Sequence, residues 1–173
     1  MNNITINSNS NDIKEMEKLF PRTPLKIIAM EGCKELGQKV NDYIVNFRQS
    51  SYREELKSPM YATYLQDNYL VDAHCPRFGS GEAKGVLNES VRGKDLFIMT
   101  DVCNYSLTYS VNGYVNHMSP DDHYQDLKRI ISAATGKAHR IKVIMPFLYE
   151  GRQHRRTKRE SLDCALMLQE LRD

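Results

Sequence analysis

The residues best suited to chemistry lie in three short segments. Arg152-Gln-His-Arg-Arg-Thr-Lys-Arg159 carries five permanent cations in eight residues, and arginine supplies a planar fork of donors that suits phosphate oxygens. Phe78-Gly-Ser-Gly-Glu82 places an aromatic face and a carboxylate around two glycines, so a flat base can stack while backbone approaches a ligand closely. Asn88-Glu-Ser-Val-Arg-Gly-Lys-Asp95 reads by itself as a charged turn. Composition alone favours a solvated basic loop, or a nonspecific nucleic-acid patch, for the first segment, and an ordinary glycine turn beside a buried Phe for the second.

The elements that must hold these segments decide between such readings. Leu25-Lys-Ile-Ile-Ala-Met30 is a bounded, β-branched run that predicts a strand, and Leu36, Val40, Ile44 and Phe47 predict one apolar face of the helix after Gly32. Tyr69 to Cys75, Val86 to Asn88, Leu96 to Thr100 and Ile141 to Pro146 predict further strands. The contiguous apolar run at Leu96 suits a strand buried on both faces of a parallel sheet. Ser119-Pro-Asp-Asp122 predicts a helix start with Ser as N-cap, followed by a stripe of Tyr124, Leu127, Ile130, Ile131 and Ala134 and a stop at Gly136. Ser161 opens a last amphipathic helix through Leu162, Ala165, Leu166 and Leu171. Residues 48–68 read as an irregular insertion with a weak helix over 52–57, and 104–118 as an aperiodic surface excursion.

Strand, helix, strands, helix, strand, helix is the order of an α/β layer fold with a largely parallel sheet. Ligands in such folds collect beyond the carboxyl ends of the strands. The arginine loop follows a strand end directly, which turns its reading toward a polyphosphate.

Bulk properties exclude several classes. Twenty-four Lys and Arg against twenty-two Asp and Glu leave a net charge of only +2, so no global field recommends nucleic acid or an anionic membrane. Cys33, Cys75, Cys103 and Cys164 form no C-x-x-C pair, which argues for reduced thiols in a cytoplasmic protein rather than zinc, redox or disulfide chemistry. No run reaches the roughly 18 apolar residues of a membrane span. Residues 1–24 read as a polar tail and linker, and 25–173 as one domain.

Taken in order and at their spacings, the three segments resemble the ribose-phosphate diphosphokinases, the phosphoribosyl pyrophosphate synthetases. That family shows an F-x-x-x-E nucleotide loop, an E-x-V-R-G-x-D turn entering an apolar strand, and a strand ending in Pro that leads to an R-Q-D-[KR] loop. The matches are Phe78 and Glu82; Glu89, Val91, Arg92, Gly93 and Asp95; then Pro146, Arg152, Gln153 and Arg155. The resemblance runs from Leu25 to Leu171 and covers the N-terminal domain of the family.

It implies a phosphoribosyltransferase-like fold and diphosphoryl transfer from Mg-ATP to the anomeric hydroxyl of ribose 5-phosphate, with Mg2+ accompanying the nucleotide. On this carry-over Phe78 stacks on adenine, Glu82 hydrogen-bonds the base or sugar side, and Arg152, Gln153 and Arg155 hold adenine and the polyphosphate. In the family the two loops come from different subunits, so the resemblance implies a homo-oligomer. Ser90 and Arg92 match positions that bind a regulatory phosphate in some members.

Three departures accompany the match. His154 stands where the family has Asp, the following loop is about one residue shorter, and Glu160-Ser161 replaces a small residue and Pro. The family's acidic pair, metal-binding His and Lys/Arg flap have no counterpart in these 173 residues, so no catalytic residue and no metal ligand is expected here, and the segment alone is expected to be inactive. His74, His117, His123 and His139 are scattered singly, and Asp121-Asp122 serves the helix start. A non-catalytic regulatory homologue is the alternative reading. An RNA-binding module has less support, because no aromatics are interleaved with the arginines.

Overall fold

The computed structural model describes residues 23–50 and 64–172. Most of the polar tail and the helix expected over 52–57 lie outside the described residues. Among those described, a three-stranded parallel sheet runs in the order β1 (Leu25–Ala29), β4 (Asp95–Met99), β7 (Arg140–Ile144). Leu25 pairs with Asp95 and Ala29 with Met99 in one register, and Asp95 pairs with Arg140 and Met99 with Ile144 in the other. The central strand is β4, and its Leu96 and Ile98 are fully buried, as the contiguous apolar run requires. Asp95 at its start is held by Arg140 at 3.1 Å.

Helix α1 (Lys34–Ser50) covers one face of the sheet. The expected stripe of Leu36, Val40, Ile44 and Phe47 is only half right: Val40 and Ile44 pack inward, while Leu36 and Phe47 are exposed. The contact line runs instead through Gly37 and Asn41, both buried. A Cβ on Gly37 would overlap the Ala29 side chain, so the helix meets β1 backbone to backbone at that point. Asn41 is buried because its amide oxygen accepts the Tyr69 N–H at 2.8 Å, a pairing that apolar periodicity does not register. Phe47 stacks on Tyr43 at the surface.

The segment expected as one strand over 69–75 divides in two. Leu70 makes an isolated parallel bridge to Ile27, and then β2 (Ala73–His74) turns away to pair antiparallel with β3 (Val86–Leu87). Asp72 secures the divergence by accepting both the Asn88 N–H at 3.0 Å and its side-chain amide at 2.6 Å.

Residues 104–118 are a correction. They hold a hairpin of β5 (Thr108–Val111) and β6 (Tyr114–His117). Asn112 and Gly113 both have positive φ, 50° and 84°, the requirement of a two-residue hairpin turn that Asn-Gly meets best.

Helix α2 (Pro120–Ala134) starts and buries as predicted. The Ser119 hydroxyl accepts the Asp122 N–H at 3.2 Å, and the Asp122 carboxylate accepts the Ser119 N–H at 2.9 Å. Leu127, Ile130 and Ala134 are fully buried against Ile28, Leu96 and Ile98 on the second face of the sheet. Helix α3 (Asp163–Arg172) begins two residues after Ser161 and buries Cys164 and Met167, leaving Leu166 exposed. Its buried face is therefore turned from the expected one. Among the described residues no helix is long and apolar enough to cross a membrane.

Candidate functional site

The Phe78–Glu82 loop is closed at its neck by a bridge between Arg77 and Ala83. Inside it the Phe78 N–H donates to Glu82 O at 2.7 Å and the Gly81 N–H to Phe78 O at 2.9 Å. Gly81 takes φ +93°, which glycine adopts without strain. The tight loop leaves Phe78 51% exposed. Glu82 is exposed beside it and accepts a hydrogen bond from the Ser80 hydroxyl at 2.8 Å.

This loop is rooted in a buried ion cluster. Arg77 lies 2.8 Å from the Asp126 carboxylate on α2, and Arg129 reaches the other oxygen at 2.5 Å. Burial pushes the Asp126 carboxyl above its ordinary range, while both guanidinium groups pull it down. With each oxygen hydrogen-bonded to a permanent cation, we hold Asp126 ionised at neutral pH. The Arg77 guanidinium also covers the Tyr109 ring of the hairpin at 4.6 Å. Beneath the hairpin a cavity of about 210 Å³ is lined by His74, Cys75, Arg77, Tyr109, His123 and Asp126. Desolvation there, with Asp126 adding to it, pushes the Cys75 thiol up to about 12.

The arginine loop leaves the carboxyl end of β7. Its stem is tied to α2 and α3: Tyr149 stacks on Tyr124 at 4.4 Å, the Tyr149 hydroxyl donates to Asp121 at 2.7 Å, and the Tyr124 hydroxyl donates to Glu170 at 2.9 Å. Burial, then these carboxylates, raise both phenol pKa values. The Gln153 N–H donates to Glu150 O at 2.9 Å, closing a turn in which Glu150 has φ +54°. Arg152, His154 and Arg155 are exposed, and Gln153 is half-buried. Its side-chain oxygen is buried and has no hydrogen-bond partner among the described residues.

Phe78 and Glu82 are thus together in one loop and Arg152 and Arg155 in another. Among the described residues no hydrogen bond, ion pair or ring contact links the two loops. Both are anchored on α2, one through Asp126 and the other through Asp121 and Tyr124. Positions 124 and 126 are two apart and point to different sides of a helix. Ser90 and Arg92 sit at the amino end of β4, in a turn where the Arg92 N–H approaches the Ser90 hydroxyl at 3.4 Å. That is the opposite end of the sheet from the arginine loop.

Arg77, Asp126 and Tyr109 were not legible as site residues. Arg77 adjoins Phe78, but its partners are 49 residues away on α2 and, on the hairpin, beyond the strand that follows. The described residues contain no group of three or more His, Cys, Asp or Glu side chains that could hold a metal ion.

Comparison with known proteins agrees with this architecture. The family model for the N-terminal domain of ribose phosphate pyrophosphokinase matches residues 25–173. Ribose-phosphate pyrophosphokinase B of Dictyostelium discoideum is 33% identical over 92 residues, 53% of this chain and 24% of that protein. The crystal structure of phosphoribosylpyrophosphate synthetase from Mycobacterium smegmatis shares the fold, with a TM-score of 0.54 and 18% identity over 86% of this chain and 39% of that one. The matched parts thus span well under half of either relative. The sheet, the flanking helices and the family match agree, and the chain belongs to the family of ribose phosphate pyrophosphokinase N-terminal domains.

Proposed function

We propose that this domain contributes the ATP-binding loops for diphosphoryl transfer from Mg-ATP to ribose 5-phosphate. Phe78 stacks on the adenine, Glu82 hydrogen-bonds the base or sugar side, and Arg152, Gln153 and Arg155 hold the nucleotide and its phosphates. The observation that supports this best is the rooting of the two loops on different sides of α2, with Phe78 and Arg152 both presented to solvent. Loops so placed do not close on each other within one copy. A second copy completes the pocket, so the working form is a homo-oligomer.

Within that pocket the chain's task is positioning and charge neutralisation, which dominate phosphoryl-type transfer. Arg152 and Arg155 lie along the polyphosphate and offset its charge, and the unpaired Gln153 oxygen accepts a donor such as the exocyclic amine of adenine. Magnesium, when bound with ATP, screens the phosphate oxygens. Ser90 and Arg92, at the far end of the sheet, form a separate anion site of regulatory type. The groups that act on ribose 5-phosphate are supplied from outside these residues, and the 173-residue chain alone turns nothing over.

Calorimetry of Mg-ATP binding to the full-length protein tests the reading. Arg152→Ala is expected to weaken binding about tenfold or more, the loss of one charged hydrogen-bonding partner; unchanged affinity sinks it. Mixing Phe78→Ala copies with Arg152→Ala copies restores intact pockets if each pocket draws on two subunits. ATP binding with no turnover on adding ribose 5-phosphate would favour the non-catalytic homologue.

A further inference from the structure

We infer that the hairpin of β5 and β6 is a brace for the Phe78–Glu82 loop, and that Arg77 and Tyr109 are positioning residues for the base that Phe78 receives. This rests on the base-binding reading of Phe78.

The hairpin meets the loop at two points. Arg77, at the loop's neck, lies with its guanidinium carbon 4.6 Å from the centre of the Tyr109 ring. Farther along, the Val111 methyl lies 3.4 Å from where a Cβ on Gly81 would sit. Tyr109 and Val111 alternate along β5 with the exposed Thr108 and Ser110, so one face of the strand is turned to the back of the loop.

Arg77 joins three structures at once. Its guanidinium donates to Asp126 at 2.8 Å and approaches Gly81 O at 3.5 Å while its flat face lies on Tyr109. A planar guanidinium donates at its edge and stacks on its face together, which lysine cannot do. The side chain is only 11% exposed.

The hairpin is itself stiff enough to serve. Its turn has the two positive φ angles it needs, Tyr105 stacks on His117 at 4.5 Å, and Met118 at its base is buried next to the Ser119 cap of α2. A short glycine-containing loop fixed before its ligand arrives loses less freedom on binding. The brace therefore acts on nucleotide affinity, through the loop, without touching the nucleotide.

Calorimetry of Mg-ATP binding to the full-length protein decides the matter. Tyr109→Phe keeps the ring and is expected to bind as the parent does. Tyr109→Ala is expected to bind roughly fivefold more weakly, the size of one partly desolvated cation–π contact. Tyr109→Leu, which keeps apolar bulk, is expected to lose the same amount and guards against a folding defect in the alanine variant. Phe78→Ala is expected to weaken binding by roughly tenfold, and in that background Tyr109→Ala should cost nothing further, because it acts only through the loop. If Phe78→Ala weakens binding while Tyr109→Ala does not, or if the two losses simply add, the brace is wrong and the base reading stands. If Phe78→Ala leaves affinity unchanged, the base reading falls and the brace with it.

Discussion

The Arg77 guanidinium lies 2.8 Å from the Asp126 carboxylate, which is 8% exposed and shared with Arg129 at 2.5 Å. One anion thus sits between two cations, leaving the cluster with a net charge of +1, and all three charges are largely withdrawn from water. Asp126→Asn keeps the shape and removes the anion, leaving both guanidinium groups opposed to nothing. Removing one partner from a buried ionic group costs about 3–5 kcal/mol, so the urea midpoint should fall by an amount matching at least the lower figure. A stability within 1 kcal/mol of the parent, an estimate for ordinary surface pairs, would show the cluster to be weakly coupled to the fold.

Alkaline pH should act through Cys75, whose thiol is raised to about 12 from 9.0 chiefly by burial. Below pH 9.0 the thiol is protonated folded and unfolded, and contributes nothing to pH dependence. Between 9.0 and about 12 the unfolded thiol ionises while the folded one does not, so the unfolded state binds fewer protons and stability falls as pH rises. The slope is at most about 1.4 kcal/mol per pH unit, less for the partial exposure of the group. Urea titrations between pH 9.0 and 10.0, below the range in which the raised Tyr124 and Tyr149 phenols add a slope of the same sign, should show a shallower slope in Cys75→Ala than in the parent. Thiol reagents should modify the exposed Cys103 well before Cys75.

Gly85 is a packing glycine. A Cβ there would lie 2.5 Å from Arg129 O and 3.0 Å from Ile130 N, both backbone atoms of α2. Neither can swing aside, so Gly85→Ala should destabilise by about 1–3 kcal/mol, the range for overpacking. Gly79→Ala is the control: a Cβ there meets nothing within 4 Å, and thermal melting should move little.

The start of α2 is reciprocal, with Ser119 and Asp122 each accepting the other's backbone N–H. Ser119→Ala removes one half and should cost about 1 kcal/mol. Asp122→Ala removes the other half and an anion at the positive helix end. If the two losses are equal to their sum in the double variant, the box is not cooperative.

Local signals gave a good account of what they govern. The Ser119 cap, the contiguous run at Leu96 and the α2 stripe were each legible, because propensity, capping and burial agree there. The hairpin was also legible in principle: Asn112-Gly113 lies between Thr108-Tyr-Ser-Val111 and Tyr114-Val-Asn-His117, the strongest short-range hairpin signal. Its second strand, β6, is exposed throughout and lacks the inside-outside alternation of a core strand. The buried face of α1 was misjudged for a different reason. Gly37 and Asn41 are set by close backbone approach and a side-chain hydrogen bond, neither of which apolar spacing records. The candidate residues Phe78, Glu82, Arg152, Gln153 and Arg155 were named through the resemblance to the family's motifs, whereas Asp126 and Tyr109 depend on how α2 and the hairpin pack around Arg77.

The Tyr124–Tyr149 pair gives the domain a built-in optical reporter. The chain has ten tyrosines and no tryptophan, so its ultraviolet emission is tyrosine emission alone. Two rings stacked at 4.4 Å, each hydroxyl bonded to a carboxylate, make a quenched pair. If the stem of the arginine loop lifts from α2, those rings part and the fluorescence brightens, so undocking of that loop can be watched without attaching a dye.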